Sequence, residues 1–490
     1  MGLPHVIGLI FSMLRASEAT SAEIAHIREK RFRRLLRTAV DKSPFYRDLY
    51  RGIDIETCQL TDLPVVDKKT MMENFDDFVT DRNLKKDEII RWIEDKSHVG
   101  QMYQGKYVPI RTSGTTGEFA VVVYDRWALD FVQAAMIARH AHPEKITALS
   151  ALRMMLHALF VKSFRIIAVF VTGGPYPAYT IAAYLPPLYQ LFVKKEIYSL
   201  LEPVSKIVEK LNTSSCNELY SYPSMLETLA REQLSGRLKL KFDPPISTIV
   251  SASEPLTESA RRLVEKAWGM KIQDTYGSSE CFLMARSCGN FERMHVMSDL
   301  CCLEIVDHQG KPVPDGQTGN KVLVTNLFNL TQPFIRYEIT DVTGYSTQPC
   351  SCGQPFPTLL PVEGRTDDIF YIDRPGGGYE EVHPYLFSVA IVDLVEVREY
   401  QLVQTQRNEF TFSYVPVDSG ADIENKVRKV LEDCMRKAGF FDRVTLKTLC
   451  VKSIPRDQRS GKMRRLISRV GTPTDLDDDL LKDKNDAVIA

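Results

Sequence analysis

A short run of hydroxyl side chains and glycines stands between two extended-looking segments in the first quarter of the chain. Residues 111–123 read RTSGTTGEFAVVV, and the strand-like KYVPI comes just before them. Glycine lets the backbone curl tightly, so that successive N–H groups converge on an anion, and serine and threonine hydroxyls add neutral donors. The run predicts a turn between two strands that is able to hold a triphosphate, although an ordinary polar hairpin has a similar composition. It is not a Walker A loop, because the glycine spacing and the Lys-Ser/Thr ending are missing.

One histidine and three cysteines form a second group with recognisable chemistry. Cys288 and His295 stand in SCGNFERMH, and Cys350 and Cys352 stand in PCSCG. Zinc favours one imidazole with three thiolates in a closed tetrahedral site, and closely spaced cytosolic cysteines suit a metal better than a disulfide. We expect a structural zinc ion that clips two loops together. The alternative is a set of reduced thiols and a surface histidine that never meet. Three further thiols compete as ligands: Cys281, Cys301 and Cys302.

The segments that must position these groups alternate between helical and strand-like patterns. SKIVEKLNTSS has helical spacing, whereas FRIIAVFV and STIVSAS are short β-branched runs of the kind that is buried in parallel sheets. This alternation predicts α/β layering. From about Asp367 the pattern changes to strand-like runs followed by the helical ENKVRKVLEDCMRKAGF, which predicts a smaller α+β unit. We therefore expect an N-terminal domain at 1–366, a C-terminal domain at 367–470 and a solvated acidic tail at 471–490.

Composition narrows the classes of partner. The 490 residues carry 62 Lys plus Arg against 63 Asp plus Glu, so there is no general electrostatic reason to expect binding to nucleic acid or to an anionic membrane. The ten cysteines lack the dense spacing of a secreted scaffold and the N-terminus has no convincing signal peptide, so we expect a cytoplasmic location. No integral membrane segment is expected, because the apolar GLPHVIGLIFSML is too short and the stretch 166–193 is interrupted by glycines and prolines.

Five motifs occur in the order seen in acyl-adenylate-forming enzymes: TSGTTG, DTYGSSE, RYEITD, EGRTDD and PRDQRSGKMRR. The chain resembles that superfamily, and SPFYRDLY and VEGRTDDIFYI are similar to its phenylacetate-CoA ligase branch. The resemblance covers nearly the whole chain except its ends. It implies an α/β fold in which a large N-terminal adenylate-forming domain is followed by a smaller, hinged C-terminal α+β domain.

The resemblance implies nucleotide-binding roles for four of the motifs and for the segment around residue 254. The loop over the β- and γ-phosphates would comprise Thr112, Ser113, Gly114, Thr115, Thr116 and Gly117. The adenine pocket would comprise Ser253, Glu254, Pro255, Asp274, Thr275 and Tyr276. Asp341 would accept hydrogen bonds from the ribose hydroxyls, and the planar donor fork of Arg365 would contact the nucleotide near the interdomain hinge. Taken alone, either charged residue would more often belong to a surface ion pair.

The resemblance also implies which residues take part in the reaction. Glu280 matches the acidic residue that helps to hold ATP-bound magnesium, a role that suits a hard carboxylate oxygen. Lys462 matches the lysine of the C-terminal domain that contacts the acyl carboxylate and the reacting phosphate, where its charge would lower the electrostatic barrier. Thr115 would act within the phosphate loop, and the small domain would rotate about Asp367 between two half-reactions. A surface glutamate after a turn and a basic, solvated helix are the plainer interpretations of Glu280 and Lys462.

The implied activity converts a carboxylic acid and ATP to acyl-AMP and pyrophosphate, and then transfers the acyl group to coenzyme A with release of AMP. An aromatic or otherwise bulky acid would be selected by Tyr220, Tyr222 and Pro223, although these can equally be core residues. The phosphopantetheine of a carrier protein, or an amine, is the alternative acceptor. Glu118 stands where many relatives carry lysine, and an acid there motivates a second alternative, a nucleotide-binding regulatory protein without turnover.

Overall fold

The structure is a computed structural model, and it describes residues 3–112, 119–139, 163–170, 172, 174–184, 193–200, 202, 204–244, 247–291, 293–362, 364–365, 370–375, 379–382, 387, 390–391, 394, 396–417, 422–456 and 463–470. Several predicted features lie outside these described residues. They are the loop residues 113–118, the hinge residue Asp367, the cation Lys462 and the tail 471–490.

The helices of the described chain lie mostly in its first 270 residues. They are α1 (Leu3–Glu18), α2 (Ser21–Lys42), α3 (Pro44–Leu49), α4 (Lys68–Glu73), α5 (Phe75–Phe78), α6 (Lys86–Glu94), α7 (Arg126–Ala138), α8 (Pro177–Ala183), α9 (Val204–Asn212), α10 (Pro223–Leu234), α11 (Glu258–Trp268) and α12 (Ile423–Lys437).

The strands belong to one large sheet and several smaller ones. They are β1 (Tyr107–Arg111), β2 (Val121–Asp125), β3 (Phe164–Phe170), β4 (Val193–Ser199), β5 (Ser215–Cys216), β6 (Glu218–Ser221), β7 (Lys241–Phe242), β8 (Thr248–Ala252), β9 (Ile272–Tyr276), β10 (Ala285–Ser287), β11 (Met294–Val296), β12 (Cys301–Val306), β13 (Lys321–Asn326), β14 (Tyr337–Ile339), β15 (Asp341–Val342), β16 (Thr358–Leu359), β17 (Gly364–Arg365), β18 (Phe370–Asp373), β19 (Tyr379–Val382), β20 (Val397–Gln406), β21 (Glu409–Pro416), β22 (Thr445–Cys450) and β23 (Leu466–Ser468).

The large domain is built on an eight-stranded sheet in the order β16-β11-β10-β9-β8-β6-β3-β4. Strands β4, β3, β6, β8 and β9 of this sheet are parallel, and β10, β11 and β16 extend it with antiparallel pairing. The β-branched runs FRIIAVFV and STIVSAS form β3 and β8, and SKIVEKLNTSS forms α9, as predicted. Helices α10 and α11 are the crossovers from β6 to β8 and from β8 to β9. Because the carboxyl ends of parallel strands meet at one edge, the loops after β6, β8 and β9 are neighbours.

The apolar N-terminal stretch packs internally. It forms most of α1, whose Met13 and Ala16 are buried, and α1 packs against α7. Among the helices that the structure describes, none combines the length and the apolar character that a membrane span needs.

The smaller C-terminal domain has its own sheet and core. Its four strands run in the order β22-β21-β20-β23, and α12 packs beside them. The predicted helix ENKVRKVLEDCMRKAGF is α12, which buries Val427, Leu431 and Met435 at helical spacing. These side chains join Phe410 and Phe412 of the sheet in a single apolar cluster. The predicted fold class, a large α/β domain with a smaller C-terminal domain, is therefore confirmed, while the boundaries 366/367 and 470/471 stay predictions.

Candidate functional site

Three of the predicted segments follow neighbouring parallel strands and meet at one edge of the large sheet. Tyr222 and Pro223 come after β6, residues 253–255 come after β8, and residues 277–280 come after β9. The backbone of Ser253 has a φ of +72°, a left-handed conformation that a residue with a side chain rarely adopts and that is common at functional sites. The fold thus brings together the segments that the resemblance assigns to the adenine, the acid and the magnesium ion.

Tyr276 and Asp341 come from two different motifs and are in contact, and the backbone of Arg365, from a third motif, pairs with that of Asp341. The Tyr276 hydroxyl donates to Asp341 Oδ2 at 2.8 Å, and both side chains are buried. Asp341 is the cross-strand partner of Arg365 in the pairing of β15 with β17. A hydrogen bond to a carboxylate fixes the orientation of that carboxylate. The predicted ribose contact is therefore held in place by a predicted adenine-pocket residue.

Asp274 and Thr275 precede this tyrosine on β9. The Asp274 carboxylate accepts from Ser251 Oγ at 2.7 Å and from the Thr275 N–H at 3.0 Å. Burial raises the pKa of Asp274, and the bond from Ser251 opposes that rise. The Thr275 hydroxyl is buried and has no hydrogen-bond partner within the described part of the chain. Because buried hydroxyls are nearly always bonded, this unsatisfied group fits a site that receives a polar ligand.

Glu280 lies on the tight turn that follows β9. Gly277 begins this turn, and a Cβ at Gly277 would stand 2.2 Å from the carbonyl oxygen of Phe282, so no other residue fits there. The Glu280 side chain is buried and hydrogen-bonds Tyr337. Burial raises the pKa of the Tyr337 hydroxyl, and the nearby Glu280 charge adds to the rise. Carboxylate oxygens are hard ligands of the kind that magnesium prefers.

The predicted phosphate loop leaves the hairpin of β1 and β2, which confirms the predicted turn between two strands at its base. Thr112 and Ala120 close this base: the Thr112 N–H donates to Ala120 O at 2.9 Å, and the Ala120 N–H donates to Thr112 Oγ1 at 2.7 Å. Further along β2, the Tyr124 hydroxyl donates to Ser279 O at 2.8 Å. The strand after the loop is therefore attached directly to the turn that carries Glu280.

The Glu254 carboxylate is bonded on both oxygens to backbone amides. Oε2 accepts from the Ser224 N–H at the start of α10, and Oε1 accepts from the Met463 N–H, both at 3.1 Å. Met463 directly follows Lys462 in the C-terminal domain. Glu254 therefore joins the candidate site to the chain beside the predicted catalytic lysine, an arrangement that its sequence neighbours do not reveal.

The residues predicted to select the acid lie where β6 meets α10. The Tyr220 ring packs edge-on against Phe170 with a centroid distance of 4.8 Å, and Tyr222, only 2% exposed, packs on the same ring. Burial raises the pKa of Tyr220 to about 12, although the nearby Arg286 charge lowers it. Pro223 is the buried first residue of α10. Tyr222 is thus a core residue by position, and the pocket role of all three stays a prediction.

The predicted metal ligands form one cluster. The ligand atoms of Cys288, His295, Cys350 and Cys352 all lie within 4.8 Å of one another. The two thiols Cys288 and Cys350 are 3.6 Å apart, and Cys352 Sγ is 3.3 Å from His295 Nε2. Tetrahedral zinc with bonds of about 2.0–2.3 Å separates its ligand atoms by roughly 3.3–3.8 Å. His295 Nδ1 is 2.9 Å from the carbonyl oxygen of Phe356, which directs Nε2 toward the cluster.

The competing thiols do not join this cluster, which in the described residues comprises those four side chains alone. Cys281 and Cys301 instead hydrogen-bond each other in the core of the large domain. Cys302 is a separate thiol whose pKa is raised to about 12 by burial. Sequence spacing alone did not separate these three thiols from the four predicted ligands. The sheet separates them, because the four ligands lie on or next to the adjacent strands β10, β11 and β16.

Several supporting residues were missed by motif reasoning. Ser251 and Ser287 hold Asp274 from two sides, since Ser287 Oγ accepts from the Asp274 N–H at 3.0 Å. Arg336, the arginine of RYEITD, has a φ of +46° and forms a two-point ion pair with Glu304 at 2.9 and 3.0 Å. That ion pair links Arg336 to Glu304 of β12. The sequence indicated Arg336 only by its place in a motif, and it gave no indication of Ser251 or Ser287.

The chain is similar in sequence to two known proteins. No protein-family model matches the chain. The phenylacetate-coenzyme A ligase of Thermus thermophilus is 26% identical over 473 residues, which are 90% of this chain and 95% of that protein. Protein CapK of Staphylococcus aureus is 26% identical over 253 residues, which are 50% of this chain and 52% of that protein.

A solved structure shares the fold. The crystal structure of 2-hydroxyisobutyryl-CoA ligase in the postadenylation state, in complex with R3-HIB-AMP, matches with a TM-score of 0.66 and 20% identity over 96% of this chain and 94% of that chain. A structure of the same ligase in the thioesterification state, with 2-HIB-AMP and CoA, matches with a TM-score of 0.53. In its ordered motifs, its full-length sequence relative and its fold, this chain is similar to the acyl-adenylate-forming enzymes.

Proposed function

We propose that the protein is an AMP-forming acid–thiol ligase. It would convert a carboxylic acid and ATP to acyl-AMP and pyrophosphate, and then transfer the acyl group to coenzyme A. The observation that carries this proposal is the meeting of Tyr276, Asp341 and Arg365, three residues from separate motifs, beside the turn of Glu280. The full-length relative is named a coenzyme A ligase, and the structural neighbour was solved with an acyl adenylate and CoA, which supports the same activity here.

In the adenylation step the chain's own residues bind and orient the reactants. Asp341 accepts hydrogen bonds from the ribose, and the unsatisfied Thr275 hydroxyl offers a further polar contact. Glu280 would hold the magnesium ion of ATP, which neutralises charge on the phosphates when bound. Lys462 would approach the acyl carboxylate and the α-phosphate, where negative charge accumulates as pyrophosphate leaves.

In the second step the thiol of coenzyme A attacks the acyl carbonyl carbon, a C–S bond forms, and the carbonyl–phosphate C–O bond breaks to release AMP. The thiol proton is lost to solvent. Rotation of the small domain about Asp367 would remove the Lys462 segment and open the path for the thiol, so that one site serves both steps.

Two accompanying features belong to the proposal. The cluster of three cysteines and His295 would hold a structural zinc ion with no open coordination position, because none of its four residues matches a reaction residue. The expected location is the cytoplasm, which suits an enzyme that uses ATP and keeps these thiols reduced.

The test is acid-dependent exchange of pyrophosphate into ATP, measured with purified protein across a panel of carboxylic acids. We expect exchange with at least one acid, and the panel should include aromatic and other bulky acids. Adding coenzyme A, a phosphopantetheinylated carrier protein or an amine then identifies the acceptor. Absence of exchange with folded, zinc-containing protein would contradict the proposal and favour a nucleotide-binding protein without turnover.

A further inference from the structure

The chain segment that carries Lys462 is attached at both of its ends to the start of helix α10. Arg456, which precedes the segment, donates from Nη1 to Ser224 Oγ at 3.4 Å. Met463, which follows it, donates its N–H to Glu254, and the same carboxylate accepts from the Ser224 N–H. The six residues 457–462 lie outside the described chain, but the described residues on either side converge on Ser224.

The attachment at Glu254 is well suited to hold a backbone. The first N–H groups of a helix have no partner within the helix, and its N-terminus attracts negative charge. Glu254 satisfies one such donor, at Ser224, and uses its other oxygen for the Met463 amide. The left-handed backbone of Ser253 turns the chain immediately before this side chain. A charged acceptor shared by two amides gives stronger hydrogen bonds than a neutral one.

A second contact joins the same two parts of the protein one turn further along α10. Glu227 and Arg465 form a salt bridge with an N–O distance of 2.5 Å, and their side chains are only 10% and 16% exposed. The Arg465 guanidinium also lies 5.3 Å from the centre of the Tyr400 ring in the small domain. Low exposure matters, because a pair of this kind is far less screened than one on the surface.

We propose that Glu254 and the Glu227–Arg465 pair form a latch that positions the Lys462 segment for adenylation and opens before acyl transfer. This inference rests on the proposed two-step function. Rotation of the small domain would separate Met463 from Glu254 and Arg465 from Glu227, so each contact stabilises only the arrangement seen here. We assign this arrangement to the first step because it matches the postadenylation structure of 2-hydroxyisobutyryl-CoA ligase, with a TM-score of 0.66, better than the thioesterification structure, with a TM-score of 0.53. Glu254 is thus a positioning residue rather than a catalytic one, and weakening the latch shifts the balance between the two half-reactions.

The test measures the two half-reactions separately in Glu254→Gln and Glu227→Gln. In Glu254→Gln the side-chain NH2 group replaces one oxygen, so one of the two backbone N–H groups loses its acceptor. Glu227→Gln removes the charge that faces Arg465. We expect acid-dependent pyrophosphate exchange to fall at least tenfold in each variant, equivalent to about 1.4 kcal/mol. In Glu227→Gln, which lies outside the predicted adenine pocket, transfer of a supplied acyl adenylate to coenzyme A should stay the same or become faster. A parallel fall in both half-reactions would indicate a merely structural role and overturn the latch.

A matched control lies on the same helix. Glu232 of α10 pairs with Arg237 at 2.6 Å, entirely within the large domain, so Glu232→Gln should leave both half-reactions unchanged. The double variant Glu227→Gln/Arg465→Gln should lose little more exchange than either single variant, since both partners of one contact are removed. Equal effects of Glu232→Gln and Glu227→Gln, or fully additive losses in the double variant, would reject the pair as a latch.

Hydrogen exchange separates failure of the latch from failure of the proposed function. If the unmodified protein shows no acid-dependent pyrophosphate exchange, the ligase proposal fails whatever the variants do. The latch is still tested by the amide of Met463 in the ligand-free protein, which should exchange faster in Glu254→Gln while the amides of β20 and β21 do not change. Unchanged exchange of the Met463 amide would overturn the latch even if the enzyme is active.

Discussion

Replacing Cys350 and Cys352 by serine is expected to remove a bound zinc ion and to weaken one edge of the large sheet. The two thiols belong to the loop before β16, whereas Cys288 follows β10 and His295 belongs to β11. Zinc at this position would link three neighbouring strands, and two remaining ligands cannot form a closed tetrahedral site. An ion present at a hundred times its dissociation constant stabilises the folded state by about 2.7 kcal/mol, which is the loss we expect.

The same double substitution should also weaken ATP binding, through a single hydrogen bond. Ser287 is adjacent to Cys288, and its hydroxyl accepts from the Asp274 N–H at 3.0 Å. Loss of one such hydrogen bond is worth about 1 kcal/mol. If β10 becomes loose without the metal, the KM for ATP should rise about fivefold, while kcat changes little because no reacting group moves.

The assay combines metal analysis, thermal unfolding and kinetics. The purified protein should contain one zinc per chain, and the double variant should contain none, unfold at a lower temperature and stop responding to a chelator. Cys450→Ser is the matched control, because Cys450 is an exposed thiol of the small domain outside the cluster. Zinc-free wild-type protein, or a double variant that retains its zinc, would refute the reasoning. An unchanged KM with the metal lost would refute only the link through Ser287.

Three further predictions concern the reaction site. Tyr276→Phe removes a hydrogen bond to a buried carboxylate, worth about 1.5–3 kcal/mol, and should raise the KM for ATP at least tenfold; unchanged kinetics would remove Asp341 from ribose binding. Lys462→Ala should abolish most acid-dependent exchange while ATP binding, followed by calorimetry, persists; exchange at the original rate would reject its role. Thr112→Val leaves the Ala120 N–H without its acceptor at the loop base, so exchange should fall several-fold at nearly constant melting temperature, and a normal rate would show that the loop does not depend on this contact.

Much of the fold was predictable because its signals are local. FRIIAVFV and STIVSAS contain the β-branched residues of strands buried on both faces, and they form β3 and β8. The spacing of apolar residues likewise identified α12. Once the parallel strands are in place, right-handed crossovers bring the loops after successive strands to one edge of the sheet. The hairpin beneath the phosphate loop followed from glycine flanked by two strand-like runs.

Side-chain pairing within the site was less accessible, because it depends on register and on turns. Nothing in DTYGSSE or RYEITD indicates that Tyr276 donates to Asp341, which lies 65 positions away. The four residues of the predicted metal cluster come from two separate stretches of the chain, and the adjacency of β10, β11 and β16 brings them together without Cys281 and Cys301. Short-range patterns report which face of a strand is buried, but they carry no information on which partner a polar atom will find.

Glu254 has two possible roles, one in the adenine pocket and one in holding the small domain. Its position after β8, beside Ser253 and Pro255, fits an adenine pocket, a role that backbone atoms can fulfil whatever the side chain does. Its carboxylate, however, is already bonded to the amides of Ser224 and Met463, and a carboxylate that satisfies two donors is poorly placed to leave them for a ligand. If the backbone binds adenine here, the Glu254 side chain can keep its bond to Met463, and that bond depends on the position of the small domain. Adenylation and domain position would then be coupled through a single residue, because the chain that lines the nucleotide site also holds the segment next to Lys462.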